Sequence, residues 1–358
     1  MLGGAAGAWA PLVPFAKARL ALDDGGLGLL LLCLGAGSIT AMPFAGALAA
    51  RFGCRAVLTA AAIVAAGVFP MLVLAPSPAT LAPALFASGA AAGSMDCVIN
   101  MQAIVVEREA GAPLMSGFHA LYSLGSVAGA LAVSAQVGLG VAPPAIASAV
   151  AFGILIASLA AWPGLLAQRE RSNAAAFSLP HAGVLLIGVF CFIVFLTEGS
   201  ALDWSAVLLR TEHGARLSEA GLAFAAFSAT MTGGRLVGDR VVARFGRRRV
   251  VAAGALAAAT GLALAALGPG WLAGVAGYAL VGAGCANIVP VLFTLTGRQT
   301  AMPESAAVAA VSMLGYAGLL AGPAGIGVLA RATSLSAAIM AVAGLLLVVA
   351  IGASRLPA

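Results

Sequence analysis

Apolar runs of about twenty residues, separated by short knots of proline, glycine or charge, recur from one end of the chain to the other. That is the length a helix needs to cross a hydrocarbon core of about 30 Å. The first run, residues 1–16, reaches only about 24 Å at 1.5 Å per residue, so this span is expected to lack its beginning. Further spans are predicted near 27–49, 56–75 and 80–105. The charge-free stretch from Ala110 to Gln168 is split by Gly140-Val141-Ala142-Pro143-Pro144 into a fifth and a sixth. A seventh is predicted over 183–209 and an eighth over 218–238, and Gly268-Pro269-Gly270 divides 250–297 into a ninth and a tenth. Spans at 305–330 and 333–353 complete twelve. The polar stretch 168–181 reads as a linker between two halves, residues 1–167 and 182–358.

Composition excludes a soluble domain. The 358 residues are 62% hydrophobic and 8% charged, with mean hydropathy +1.08, against roughly 25% charged residues in soluble proteins. The net charge of +6 does not point to nucleic acid, because the arginines sit in short loops between spans, where they set topology. Alternate loops hold Arg51, Arg55, Arg108, Arg169, Arg171, Arg235, Arg240, Arg244, Arg247, Arg248, Arg249, Arg298 and Arg355 on one side, and Lys17, Arg19, Arg210, Arg216 and Arg331 on the other. The richer side is assigned to the cytoplasm, together with both ends of a complete chain in the inner (plasma) membrane. Five scattered cysteines imply neither disulfide nor metal site. Histidines 119, 181 and 213 lie in separate segments and do not cluster as a lipid-acting enzyme would require. Nothing resembles a phosphate-binding Gly-x-x-x-x-Gly-Lys loop, so neither nucleotide-driven transport nor a cofactor is expected.

Between Arg55 and Glu107 the only charged residue is Asp96. An ionisable group inside a span is costly, roughly 2.5–3.5 kcal/mol at a helix centre, and marks a pathway or a water-filled cavity. Gly89, Gly93, Asp96 and Asn100 follow steps of four, three and four, which places them on one helix face as a small-residue groove leading to a carboxylate and an amide. His119 and Tyr122 share a face of the next span with Ser126. Glu198 lies well inside the seventh span, with Asp203 and Trp204 towards its outer end. Five residues turn a regular helix through about 140° beyond a full turn, so Glu198 and Asp203 meet at one site only if the helix unwinds near Gly199. Asn287 is followed by Pro290, which should weaken the helix and expose a carbonyl.

The sequence repeats itself across its halves. Arg51-Phe52-Gly53-Cys54-Arg55 reappears as Arg244-Phe245-Gly246-Arg247-Arg248, Gly93-x-x-Asp96 as Gly284-x-x-Asn287, and Ser123-Leu124-Gly125 as Met313-Leu314-Gly315. A parallel duplication of six spans resembles the major facilitator superfamily, which implies a twelve-span, all-α membrane fold of two six-helix bundles. Gly234-Arg235-x-x-Gly238-Asp239-Arg240 with Arg244 and Arg247 looks like that family's cytoplasmic gating motif. The resemblance implies a gating role for Gly234, Asp239, Arg240, Arg244 and Arg247. The first copy has Ala50 where an acid is usual, so the role is carried onto the second copy alone. Asp96 four before Asn100, then His119-Ala-Leu-Tyr122-Ser123-Leu-Gly125 and Glu198-Gly-x-x-x-Asp203-Trp204, resemble the YbjJ-like branch near the fucose–proton symporters. Ala10 stands where the sugar symporters have a first-span Asp, so their two-carboxylate relay is not transferred intact.

The reading that follows is a secondary active transporter rather than an enzyme, working by alternating access as a proton-coupled symporter of a small polar, sugar-like solute. Asp96 and Glu198 are the candidate proton carriers, and Asn100, Tyr122, His119, Asn287, Asp203 and Trp204 the candidate substrate contacts. Lipid, protons and the small-molecule substrate are the expected partners of a monomer. Proton-driven efflux of small molecules, and a truncated or sensor-like homologue without transport, are the alternatives.

Overall fold

The computed structural model describes residues 1–22, 24–167, 180–216, 219 and 221–356, and holds no strand among them. Most of the expected linker, residues 168–179, lies outside the described residues. The first span is broken: α1 (Leu2–Trp9) and α2 (Val13–Arg19) are joined by a 3-10 turn over Ala10–Leu12. Pro11 and Pro14 supply no N–H and impose that break. Then follow α3 (Asp24–Phe52), α4 (Cys54–Leu74), α5 (Pro78–Ala110), α6 (Met115–Gly138) and α7 (Pro143–Ala161). After the linker come α8 (Ala182–Thr211), α9 (Leu222–Phe245), α10 (Arg247–Leu267), α11 (Gly270–Cys285), α12 (Ile288–Arg298), α13 (Glu304–Ala332) and α14 (Leu335–Gly352). Counting α1 with α2 and α11 with α12 as single crossings gives the twelve spans expected from the apolar runs.

Ten of these crossings are long and apolar enough to span a membrane. The broken first span and α9 fall outside that criterion. Helix α9 carries Arg235, Asp239, Arg240 and Arg244, and the placement of Arg235 corrects its assignment to a topology-setting loop. It lies in the body of α9 and is only 6% exposed.

The internal repeat is visible in the backbone. Gly53 (φ 86°, ψ 156°) and Gly246 (φ 81°, ψ 154°) cap α4 and α10 in the same conformation, one that L side chains rarely adopt. Arg51 lies over the Phe52 ring at 5.1 Å, and Arg244 over Phe245 at 5.5 Å. Arg55 Nε donates to the Leu165 carbonyl at 2.9 Å, and Arg248 Nε to the Leu356 carbonyl at 2.6 Å. Each of those carbonyls follows a 3-10 turn that closes the sixth or the twelfth span. Seven residues before Gly53 stands Gly46, and seven before Gly246 stands Asp239. The first-half position that answers Asp239 is therefore Gly46, not Ala50.

Contacts group the described residues into two units. The first comprises Met1–Ala103, the described part of Leu121–Leu179, and Thr300–Met313. There α3 and α5 cross at backbone distance: a Cβ at Gly37 would strike Phe86, one at Gly89 would strike Leu34, and one at Gly93 would strike Ser38. Ser38 Oγ seals the crossing by donating to the Gly89 carbonyl at 2.9 Å. Gly46 lies against the Ser305 carbonyl at the start of α13. The second unit comprises Ile104–Ala120, Pro180–Gln299 and Leu314–Ala358, and its core is the packing of α11 on α9 and α10, with α14 on α10.

Candidate functional site

The polar centre of the second unit begins with a proline. Pro290 has no N–H for the carbonyl four residues earlier, that of Ala286. The tenth span accordingly breaks after Cys285 and resumes at Ile288, with Asn287 at φ −111°, ψ 0°. The Ala286 carbonyl left without a helical partner accepts from Arg235 Nε at 3.4 Å. Asn287 Nδ2 donates to the Gly234 carbonyl at 3.1 Å, while its Oδ1 is buried without a hydrogen-bond partner among the described residues. The glycines of α9 make this approach possible. A Cβ at Gly238 would strike Asn287 Oδ1 and lie 2.7 Å from Ser116 Cβ, and one at Gly234 would lie 2.7 Å from Ala286 Cβ.

Arg235 then reaches α8. Its Nη2 stands 3.7 Å from Glu198 Oε1, with side chains 7% and 17% exposed. Taking two charges out of water is costly, and their attraction offsets that cost only while both partners remain. The charge of Arg235 also acts on His119, whose ring lies tilted against Phe293 at 6.1 Å between centroids. Glu198, Arg235, His119 and Asn287 thus belong to one neighbourhood of the second unit. Arg235 is the member that the sequence reading missed. The signal was present: it is a lone cation between Gly234 and Gly238 in an apolar stretch, the same criterion that singled out Asp96.

Other candidates fall elsewhere. Helix α8 runs unbroken through Gly199, which packs against Leu319, so Asp203 does not come round to the face of Glu198. Asp203 is exposed, and Trp204 lies beside Gly327 on α13 with its Nε1 buried. These two residues do not join the Glu198 neighbourhood, because the helix does not unwind. On α5, Asn100 turns its Nδ2 back to the Asp96 backbone carbonyl at 2.9 Å. The carboxylate of Asp96 is partly buried and makes no hydrogen bond to another described residue. The stripe of Gly89 and Gly93 leading to it is filled by α3 rather than open, which corrects the expected groove. Tyr122 is 40% exposed, and its backbone takes the close approach of Gly3 on α1.

At the arginine-rich end, Asp239 lies against the start of α6. Its Oδ1 accepts from the Ser116 amide and its Oδ2 from the Gly117 amide, each at 2.9 Å. Glu107, 7% exposed, accepts through Oε2 from the amides of Leu114 and Met115, also at 2.9 Å. Arg240 is exposed, Arg244 lies over Phe245, and Arg247 is partly buried at the first position of α10. Among the described residues no group of three or more His, Cys, Asp or Glu is placed to hold a metal.

A twelve-span helical bundle with duplicated halves and ionisable groups inside its spans has the architecture of a secondary transporter. The Major Facilitator Superfamily model matches residues 185–357. An uncharacterized MFS-type transporter of Yersinia pestis is 49% identical over 347 residues, 97% of this chain and 90% of that protein. An uncharacterized transporter, y4wD, of Sinorhizobium fredii is 35% identical over 92% of this chain and 88% of its own length. The chain belongs to the Major Facilitator Superfamily. Among solved structures, the Escherichia coli fucose:proton symporter superposes with a TM-score of 0.77 at 16% identity, covering 99% of this chain and 95% of that one. That likeness shows the fold.

Proposed function

We propose that this transporter is a proton-coupled symporter of a small polar, sugar-like solute, with the solute bound between the N-terminal half (1–167) and the C-terminal half (182–358). The observation that carries the reading is the Glu198–Arg235 pair, a compensated charge inside the spans beside a helix break. Protonating Glu198 removes one charge of the pair and lets the Arg235 Nη2 group turn to a solute oxygen, while its Nε keeps the Ala286 carbonyl. Losing the proton on the other side of the membrane restores the pair. Asp96, held by no other described side chain, is the second carrier, and His119, Asn287, Asn100 and Tyr122 are the polar contacts offered to the solute. Asp203 and Trp204, on another face of α8, serve an outer gate. The fucose:proton symporter named above supports the choice of a sugar-like cargo and a proton as driver.

Asp239, with Gly234, Arg240, Arg244 and Arg247, serves as the cytoplasmic gate, in an inner-membrane monomer whose arginine-rich end faces the cytoplasm. Release of the Ser116 and Gly117 amides accompanies opening of that end.

Proteoliposomes loaded with a pH-sensitive dye test the reading. Addition of sugars, sugar acids or nucleosides should acidify the lumen for at least one cargo. Solute uptake without any proton movement would leave the transporter and remove the symport.

A further inference from the structure

A cavity of about 140 Å³ opens where the end of α5 and the loop after it meet α10 and α12, lined by Glu107, Arg108, Pro113, Arg247, Thr294 and Arg298 among others. Its lining carries three guanidinium groups and one carboxylate. Glu107 offsets one of them, but its Oε2 already accepts from the Leu114 and Met115 amides. Arg108 Nη2 reaches the Gly297 carbonyl at 3.1 Å, which fixes that side chain across the cavity's edge. Arg247 and Arg298 repel one another. The Nε of Arg247 is buried and has no hydrogen-bond partner among the described residues, a condition that native structures rarely leave uncompensated. Helix α10 begins at Arg247, and its N-cap Gly246 brings no side chain to the first amides, so the positive end of the helix dipole adds to the field of the arginines.

We propose that this cavity binds a phosphate group. Guanidinium groups match the oxygens of a tetrahedral oxyanion in pairs, and the unpartnered Arg247 Nε beside the like charge of Arg298 suits an anion between them. The volume leaves room for a phosphate with its nearest waters. The bound group would satisfy Arg247 Nε, relieve its repulsion with Arg298, and tie the end of α5 to α10 and α12. Two sources carry this chemistry: free phosphate, and the phosphodiester of an anionic lipid, whose headgroup has no cation of its own to cover it and reaches the same end of the bundle. Nothing in the proposal depends on the transported solute.

The experiment measures thermal unfolding of the full chain. In uncharged detergent, inorganic phosphate is compared with potassium chloride at matched ionic strength. In nanodiscs, phosphatidylcholine is compared with phosphatidylcholine plus phosphatidylglycerol. A rise of about 3 °C or more above the control is expected with one probe or both, and its loss is expected in Arg247→Gln/Arg298→Gln. Stabilisation by phosphate in detergent identifies the free anion as a ligand; stabilisation confined to phosphatidylglycerol identifies the lipid headgroup. No rise with either probe, or an undiminished rise in the double variant, overturns the proposal. Arg298 is exposed, so Arg298→Gln alone tests the same point should the double variant fail to fold, and an undiminished rise there overturns it equally.

Discussion

Glu107 and Asp239 divide the N-terminus of α6 between them. One carboxylate, from the end of α5, takes the amides of Leu114 and Met115; the other, from α9, takes those of Ser116 and Gly117. The first amides of a helix have no partner within it, and here four consecutive ones are met by two acids far apart in sequence. A charged acceptor at a helix N-terminus also gains from the helix dipole. The seam is asymmetric, because the first-half position that answers Asp239 is Gly46, which brings no carboxylate and packs against the Ser305 carbonyl and the Ala309 side chain of α13.

Removing Asp239 should therefore loosen the seam in proportion to the acceptors lost. Asp239→Ala leaves two amides without their carboxylate, and a cost of about 2–3 kcal/mol is expected from charge-assisted bonds that are partly buried. Asp239→Asn keeps one oxygen and should lose about half as much. Thermal unfolding in detergent measures both, and equal melting temperatures for the alanine variant and the parent would show that water replaces the carboxylate at no cost.

The pair in the spans behaves differently, because breaking it strands a charge. Glu198→Gln leaves Arg235 buried without its carboxylate, at about 3–5 kcal/mol. Glu198→Gln/Arg235→Gln removes both charges and should be more stable than the single variant, since no charge is then held out of water. A double-mutant cycle on unfolding temperatures reads the coupling. Additive losses would mean that the two side chains, at 3.7 Å, do not interact energetically.

The close approach of α9 to the broken tenth span yields a sharper contrast. Gly238→Ala drives a Cβ into Asn287 Oδ1 and Ser116 Cβ, whereas a Cβ at Gly233 meets nothing within 4 Å. Overpacking of this kind costs about 1–3 kcal/mol. Gly233→Ala should instead be neutral or stabilising by up to about 1 kcal/mol, from helix propensity. Expression level and melting temperature of the two variants check the pair side by side.

The twelve crossings were legible because charge-free length is a direct consequence of the bilayer, and the break beside Asn287 because Pro290 removes one named hydrogen bond. The Arg-Phe-Gly repeat announced Gly53 and Gly246 by sequence, and their matching backbone angles follow. What stayed hidden depended on which helices meet. Arg235 reads as a loop cation until α8 and α9 bring it to Glu198, and Glu107 marks only the end of a charge-free stretch until the chain turns and its carboxylate finds two amides. The glycine stripe beside Asp96 misled for the same reason, since a face of small residues is the surface of a groove or of a helix crossing, and only the position of α3 decides which.

Asp96 separates structure from coupling more cleanly than Glu198 does. Its carboxylate makes no hydrogen bond to another described residue, and the Asn100 amide is engaged with the Asp96 backbone carbonyl, which an asparagine at this position leaves in place. Asp96→Asn should then change the melting temperature by little, less than about 1 kcal/mol in equivalent stability, while abolishing accumulation of solute driven by a proton gradient. Counterflow, in which labelled solute exchanges for unlabelled with no net proton movement, should survive. Accumulation unchanged from the parent would remove Asp96 from the proton path and leave Glu198 as the sole carrier. Loss of counterflow together with accumulation would instead place Asp96 in direct contact with the solute.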